Sequence, residues 1–112
     1  MEHEKQRCIC EFFGLEAQIK KADEELDEIN EAFANYEFNR KKENLILLID
    51  EVNDLLNVLE GICANNGVNL DEVKLRKEKK LDRCICIINK IKVGTGDKIG
   101  EYDRIRYQED MR

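Results

Sequence analysis

Proline and tryptophan are absent from this 112-residue chain, and histidine occurs once, at His3. Without proline, no position forbids a helix on backbone grounds. A single histidine excludes a di-iron carboxylate bundle, which needs Glu-x-x-His on two helices. It also leaves Cys8 or Cys84 without a partner base for nucleophilic catalysis. No apolar run approaches the roughly 18 to 20 residues of a membrane-spanning helix. There is no Gly-x-Ser-x-Gly and no Gly-x-x-x-x-Gly-Lys-Ser/Thr loop, and Gly94, Gly96 and Gly100 do not form a dinucleotide fingerprint. Basic residues number 19 against 25 acidic ones, a net charge of −6. That balance argues against general binding to nucleic acid polymers or to an anionic membrane. It does not argue against a small phosphate ester, because a bound metal ion can invert the local field.

Charged residues make up 39% of the chain and aromatics 6%. This composition favours long helices. The length is that of one domain whose core leaves little surplus stability, so self-association would help. The N-terminal segment Met1-Glu2-His3-Glu4-Lys5 is charged and no signal-type apolar stretch follows it, so a cytoplasmic protein is expected. His3 is expected to be loose. The five cysteines, an odd number, then read as reduced thiols rather than as a disulfide framework.

Phe12, Leu15, Ile19, Ala22, Leu26, Ile29 and Phe33 recur at alternating spacings of three and four, the seam of an amphipathic helix. Gly14 marks a break between a short first helix and a longer second one. Residues 35–42 lack the period and read as a connection. A second seam follows through Leu45, Leu48, Val52, Leu55, Leu59 and Ile62. Ile46, Leu47, Ile49, Leu56 and Val58 widen it, as on a helix central to a bundle or at an interface. Asn65-Asn66-Gly67 is a stop signal. Asn69 or Asp71 can cap a third pattern holding Val73 and Leu81. Residues 84–91 are apolar and fit helix or strand. The expected fold is all-α: four or five helices in a bundle, built on antiparallel long helices and assembled as an oligomer. The expected organisation is a domain over residues 1–92 and a polar tail over residues 93–112, whose last dozen residues are expected to be loosely held unless a partner subunit covers them.

Two helices carry one local pattern, Glu25-x-x-Glu28 and Glu51-x-x-Asp54. Residues three apart share a helix face, and each acid directly precedes a seam position. If the two helices are antiparallel neighbours, four carboxylates converge. Convergent carboxylates repel unless protonated or bound to a cation. Their hard oxygens suit Mg²⁺ or Mn²⁺, and such an ion serves phosphate-ester hydrolysis.

With these motifs in view, the sequence resembles the MazG-like all-α nucleoside triphosphate pyrophosphohydrolase family. The flanks match as well. Phe13-Gly14-x-x-x-Gln18 leads into Lys21-x-x-Glu24-Glu25-Leu26-x-Glu28-Ile29-x-x-Ala32, and Asn44-Leu45-x-x-Leu48-x-x-Glu51-x-x-Asp54-Leu55-Leu56 follows. The resemblance implies cleavage of a nucleoside triphosphate, NTP or dNTP, to the monophosphate and pyrophosphate, in the service of house-cleaning. It implies Mg²⁺ held by Glu25, Glu28, Glu51 and Asp54, with Glu25 or Glu28 also polarising the attacking water. It implies phosphate contacts from Lys77, Lys80 and Arg83, a base or sugar contact from Gln18, and a homodimer or homotetramer. The family's usual tryptophan on the first helix is missing, and Phe12 and Phe13 are the available aromatics.

Other readings stand beside this one. The acidic pairs also fit the solvated faces of a non-catalytic helical oligomerisation module, or a metal-binding regulator without turnover. Arg7-Cys8-Ile9-Cys10 recurs as Arg83-Cys84-Ile85-Cys86. Four such thiolates can hold zinc, but on a helix Cys-x-Cys points its thiols about 200° apart, which favours apolar cysteines instead.

Overall fold

The computed structural model describes residues 3–112. Met1 and Glu2 of the charged N-terminal segment lie outside them. Five helices and no strand occur among the described residues: α1 (Glu4–Phe13), α2 (Leu15–Phe38), α3 (Lys42–Asn65), α4 (Leu70–Ile88) and α5 (Lys98–Asp110). The all-α expectation holds, and the apolar run after Arg83 resolves as helix. The chain divides into two compact units, Met1–Leu70 and Asp71–Arg112.

In the first unit, α3 packs along both α1 and α2, whereas α1 and α2 meet only briefly. Gly14 alone separates α1 from α2. Its φ of 90° is one that an L side chain resists, and its N–H closes α1 on the Cys10 carbonyl at 2.8 Å. Residues 35–42 were expected to be a connection, but α2 runs on to Phe38 and α3 begins at Lys42. The link is therefore three residues long, and α2 and α3 form an antiparallel hairpin. Local bonds explain the tightness: Asn44 Nδ2 donates to the Asn39 carbonyl at 2.8 Å, and Arg40 lies over the Tyr36 ring. At the other end of α3, Gly67 adopts φ 72°. The Val68 N–H reaches the Cys63 carbonyl at 2.9 Å and the Gly67 N–H the Ala64 carbonyl at 3.4 Å, the paired bonds of a Schellman stop.

The seams sit differently from their sequence reading. On α2 the buried residues are Gln18 and Glu25. Phe12, Leu15, Ile19, Leu26 and Phe33 are exposed in the single chain. On α3, Leu48, Leu55, Val58 and Ile62 are half-buried, and Leu45, Ile49, Val52, Leu56 and Leu59 form an exposed line. Helix α2 thus turns a partly polar line toward α3 and leaves its most apolar line outward. Cys10 is the buried apolar residue of this unit. Gly61 explains how α1 comes so near α3: a Cβ there would lie 2.6 Å from the Gln6 carbonyl oxygen. His3, expected to be loose, places Nδ1 3.3 Å from Glu60 Oε2.

The second unit holds α4 and α5 around Ile87 and Ile105, both buried. Residues 93–112 were read as a polar tail with its last dozen residues loosely held, yet 98–110 are helical, with Asp97 Oδ1 accepting from the Gly100 N–H at 3.0 Å. The sequence reading missed α5 because its apolar positions show no helical period. Ion pairs hold it instead: Arg83 with Asp110, and Lys90 with Glu109 at 2.5 Å.

No helix among the described residues is long and apolar enough to cross a membrane.

Candidate active site on the α2–α3 hairpin

The hairpin brings acids from both long helices together. One carboxylate oxygen each from Glu25, Glu28 and Glu51 lies within 4.8 Å of the others, the three-acid group being drawn from the described residues. Glu25 is buried at 3% exposure, Glu51 is half-buried and Glu28 is exposed. The set therefore runs from the helix interface to solvent. Asp54, one turn beyond Glu51, is exposed and lies outside the three-acid group, although its charge still acts on Glu51.

Each oxygen of Glu25 has a different situation. Oε1 accepts from Lys21 Nζ at 2.9 Å, an i,i+4 pair that holds the Lys21 ammonium above its ordinary pKa. Oε2 is buried and has no hydrogen-bond partner, and Glu51 Oε2 is in the same condition. A buried carboxylate oxygen without a donor is costly. Glu51 responds by holding a proton up to a pKa of about 7. The first cause is the hydrogen bond its protonated form can share with Glu28; desolvation follows, then the charges of Glu28, Asp54 and Glu25. Two orphaned oxygens, three acids in mutual reach and one lysine make a set that fits a hard divalent cation.

Glu28 and Glu51 open onto a cleft of 330 Å³, walled also by Glu31, Asn35, Asn44 and Leu47. On the α1 side, a cavity of 390 Å³ is lined by Lys5, Gln6, Ile9, Gln18, Asn57 and Val58. Gln18 lies in this second cavity, two turns before Glu25 on the same buried line.

The basic residues singled out in sequence belong to the second unit. Lys77, Lys80 and Arg83 are on α4, in the second unit. Lys77 and Lys80 are exposed. Arg83 is engaged within that unit by Asp110 and, at 3.9 Å, by Glu109. Sequence reasoning overlooked Lys21 as a partner of Glu25, although the i,i+4 spacing offers it. Gln6 and Asn57 carry no local signal. They are 51 residues apart and meet because α1 folds back on α3, with Gln6 Nε2 donating to Asn57 Oδ1 at 3.4 Å.

The sequence model of the phosphoribosyl-ATP pyrophosphohydrolase family matches residues 6–79, about two thirds of the chain. The match spans all four acids, Gln18 and Lys77; Lys80 and Arg83 fall outside it. The chain belongs to this family, within the MazG-like all-α superfamily of pyrophosphohydrolases. The family is one of hydrolases that act on phosphoric anhydrides of nucleotides. No curated protein and no solved structure matches the chain.

Proposed function

We propose that the protein is a divalent-metal-dependent pyrophosphohydrolase that splits a nucleoside triphosphate, NTP or dNTP, into the monophosphate and pyrophosphate. The observation that carries this reading is the three-acid group with two buried, unpartnered carboxylate oxygens, in a chain of a pyrophosphohydrolase family. Glu25, Glu28 and Glu51 would hold Mg²⁺ or Mn²⁺, with Asp54 completing the set from the next turn of α3. The ion, when bound, supplies charge neutralisation for the phosphate chain and a lowered pKa for water.

The chain's own residues divide the remaining work. Lys21 occupies one oxygen of Glu25 and so fixes the carboxylate at the buried end. Between Glu25 and Glu28, the better base is Glu28: it is exposed and lines the cleft, so a water molecule can reach its carboxylate. Glu28 takes the proton of that water as its oxygen forms a bond to phosphorus. The anhydride P–O bond breaks, and pyrophosphate leaves. Lys77, Lys80 and Arg83 are proposed as phosphate contacts on charge; Arg83 would first have to leave Asp110 and Glu109. The pyrophosphohydrolase domain would cover residues 1–92 in a cytoplasmic protein, and house-cleaning of non-standard nucleotides is the role the MazG-like resemblance favours.

The family description favours a second substrate, phosphoribosyl-ATP, itself a nucleotide with a triphosphate chain. The exposed apolar lines of α2 and α3 support a homodimer or homotetramer, because a monomer seldom exposes so much contiguous apolar surface.

The test is pyrophosphate release with Mg²⁺ from a panel of canonical and modified triphosphates that includes phosphoribosyl-ATP. Release that is lost in Glu28→Gln and in Asp54→Asn, with helicity retained, is expected. No release from any member, and no binding of a divalent ion, would leave the helical oligomerisation module as the better account.

A further inference from the structure

The second unit has a cavity of its own. The link from α4 to α5 turns at Gly94, φ 86°, where the Thr95 N–H reaches the Lys92 carbonyl at 3.3 Å. The end of α4, this turn and the start of α5 enclose 580 Å³. Ile88, Ile91, Val93 and Ile99 line the space with aliphatic carbon, and Lys92 and Lys98 supply its charge. No acid among the described residues lines it. Val93 is fully exposed and Ile99 is 78% exposed, aliphatic side chains that their own fold leaves in water.

The two lysines are uncommitted. Ion pairs within this unit join Lys90 to Glu109 and Arg104 to Glu101, and neither Lys92 nor Lys98 enters one among the described residues. Lys92 acts on Glu101 through its charge alone. The acids of the adjoining turn are engaged: Asp97 Oδ1 accepts from the Gly100 N–H at 3.0 Å, and Glu101 holds Arg104 at 2.6 Å. The lining is therefore apolar with an excess of positive charge.

That combination separates the possible occupants. A second copy offering the same face would set ammonium against ammonium, which is unfavourable. A standard protein interface draws roughly 20–30 residues from each side, against the eight that line this cavity. Small ligands occupy sites of about 300–1,000 Å³ with apolar walls and a few polar groups, and this cavity is of that kind.

We propose that the cavity binds a small amphiphilic anion, an aliphatic chain ending in a carboxylate. Its tail lies against Ile88, Ile91, Val93 and Ile99, and its head is held by Lys92 and Lys98. The ammonium groups donate charge-assisted hydrogen bonds to the carboxylate. The tail and the exposed isoleucine and valine side chains leave water together. The site stands independently of the nucleotide reading.

The test is calorimetric titration of the full chain with octanoate, octanol and octyltrimethylammonium, which share a tail and carry a negative, neutral or positive head. Octanoate should bind saturably, at least about tenfold more tightly than octanol, and the cation should not bind. Lys92→Gln combined with Lys98→Gln should weaken octanoate about tenfold or more and leave octanol unchanged. Ile99→Ser should weaken both, about tenfold. All three positions are exposed, so helical circular dichroism should be retained. If the double lysine variant loses it, Ile99→Ser and the comparison of the three heads decide the matter. No saturable octanoate binding at millimolar concentration overturns the proposal. So does equal affinity for octanoate and octanol, or octanoate affinity unchanged in either variant. Cosedimentation with phosphatidylglycerol vesicles, without octanoate binding, overturns it as well and points to a membrane surface instead.

Discussion

Gln18 and Glu25, seven residues apart, are the two buried residues of α2. A 24-residue helix that turns polar side chains inward and leaves Phe12, Leu26 and Phe33 exposed nearby or along its length is poorly built for stability alone. It is well built for presenting chemistry at the face of a hairpin.

Replacing Lys21 by Met removes the donor on Glu25 Oε1, so both oxygens of a buried carboxylate become unpartnered. The metal-free protein should lose about 1–3 kcal/mol of stability, discounted toward the lower figure because Lys21 is itself half exposed. Adding Glu25→Gln to Lys21→Met should return most of the loss. Urea melts of the two variants check this; equal stability of wild type and Lys21→Met would contradict it.

The protonation of Glu51 sets a pH window. Its folded pKa of about 7 stands above its ordinary 4.5. Between those values the folded chain binds a proton that the unfolded chain has released. Metal-free stability therefore falls as pH rises from about 4.5 through 7. Glu4, Glu101 and Glu109 have lowered pKa values, so their contribution is lost only below 4.5, outside the window. A metal ion competes with the same proton, and Mg²⁺ affinity should rise through about pH 7. Thermal melts at pH 5, 6, 7 and 8, with and without Mg²⁺, should show the metal-free decline disappear in Glu51→Gln.

Gly61→Ala places a Cβ 2.6 Å from the Gln6 carbonyl oxygen, a backbone atom. Backbone cannot swing aside as a side chain can, so α1 must lift from α3 at a cost of about 1–3 kcal/mol. Hydrogen exchange should locate the loosening in α1 while the α2–α3 turn stays protected. Uniform destabilisation across the unit would contradict the close approach.

The outward apolar line of α3 should carry self-association. Leu56 and Leu59 are each more than two-fifths exposed. Leu56→Glu should shift light-scattering mass by at least twofold toward the single chain, without loss of helicity. A wild-type chain that is already monomeric at micromolar concentration would remove this expectation.

Helices α1 to α3, and the spacing that brings Glu25, Glu28 and Glu51 together, were legible in sequence because helical periodicity and i,i+3 spacing are local properties. The stop at Gly67 and the break at Gly14 were legible for the same reason. The burial of Gln18 was not, since a seam through Phe12, Leu15 and Ile19 is apolar whether it faces its own chain or another surface. Gln6 and Asn57 belong to one cavity through the fold-back of α1, which no spacing reveals. Helix α5 escaped because it relies on ion pairs to α4 and one buried isoleucine, Ile105, rather than on a repeating apolar face.

The most direct measurement is Mn²⁺ titration followed by electron paramagnetic resonance, on wild type, Glu25→Gln, Glu28→Gln and Glu51→Gln. The account predicts saturable binding to the wild-type chain, weakened at least about tenfold in each variant. Absent Mn²⁺ binding in wild type, or equal affinity in all four proteins, would contradict it.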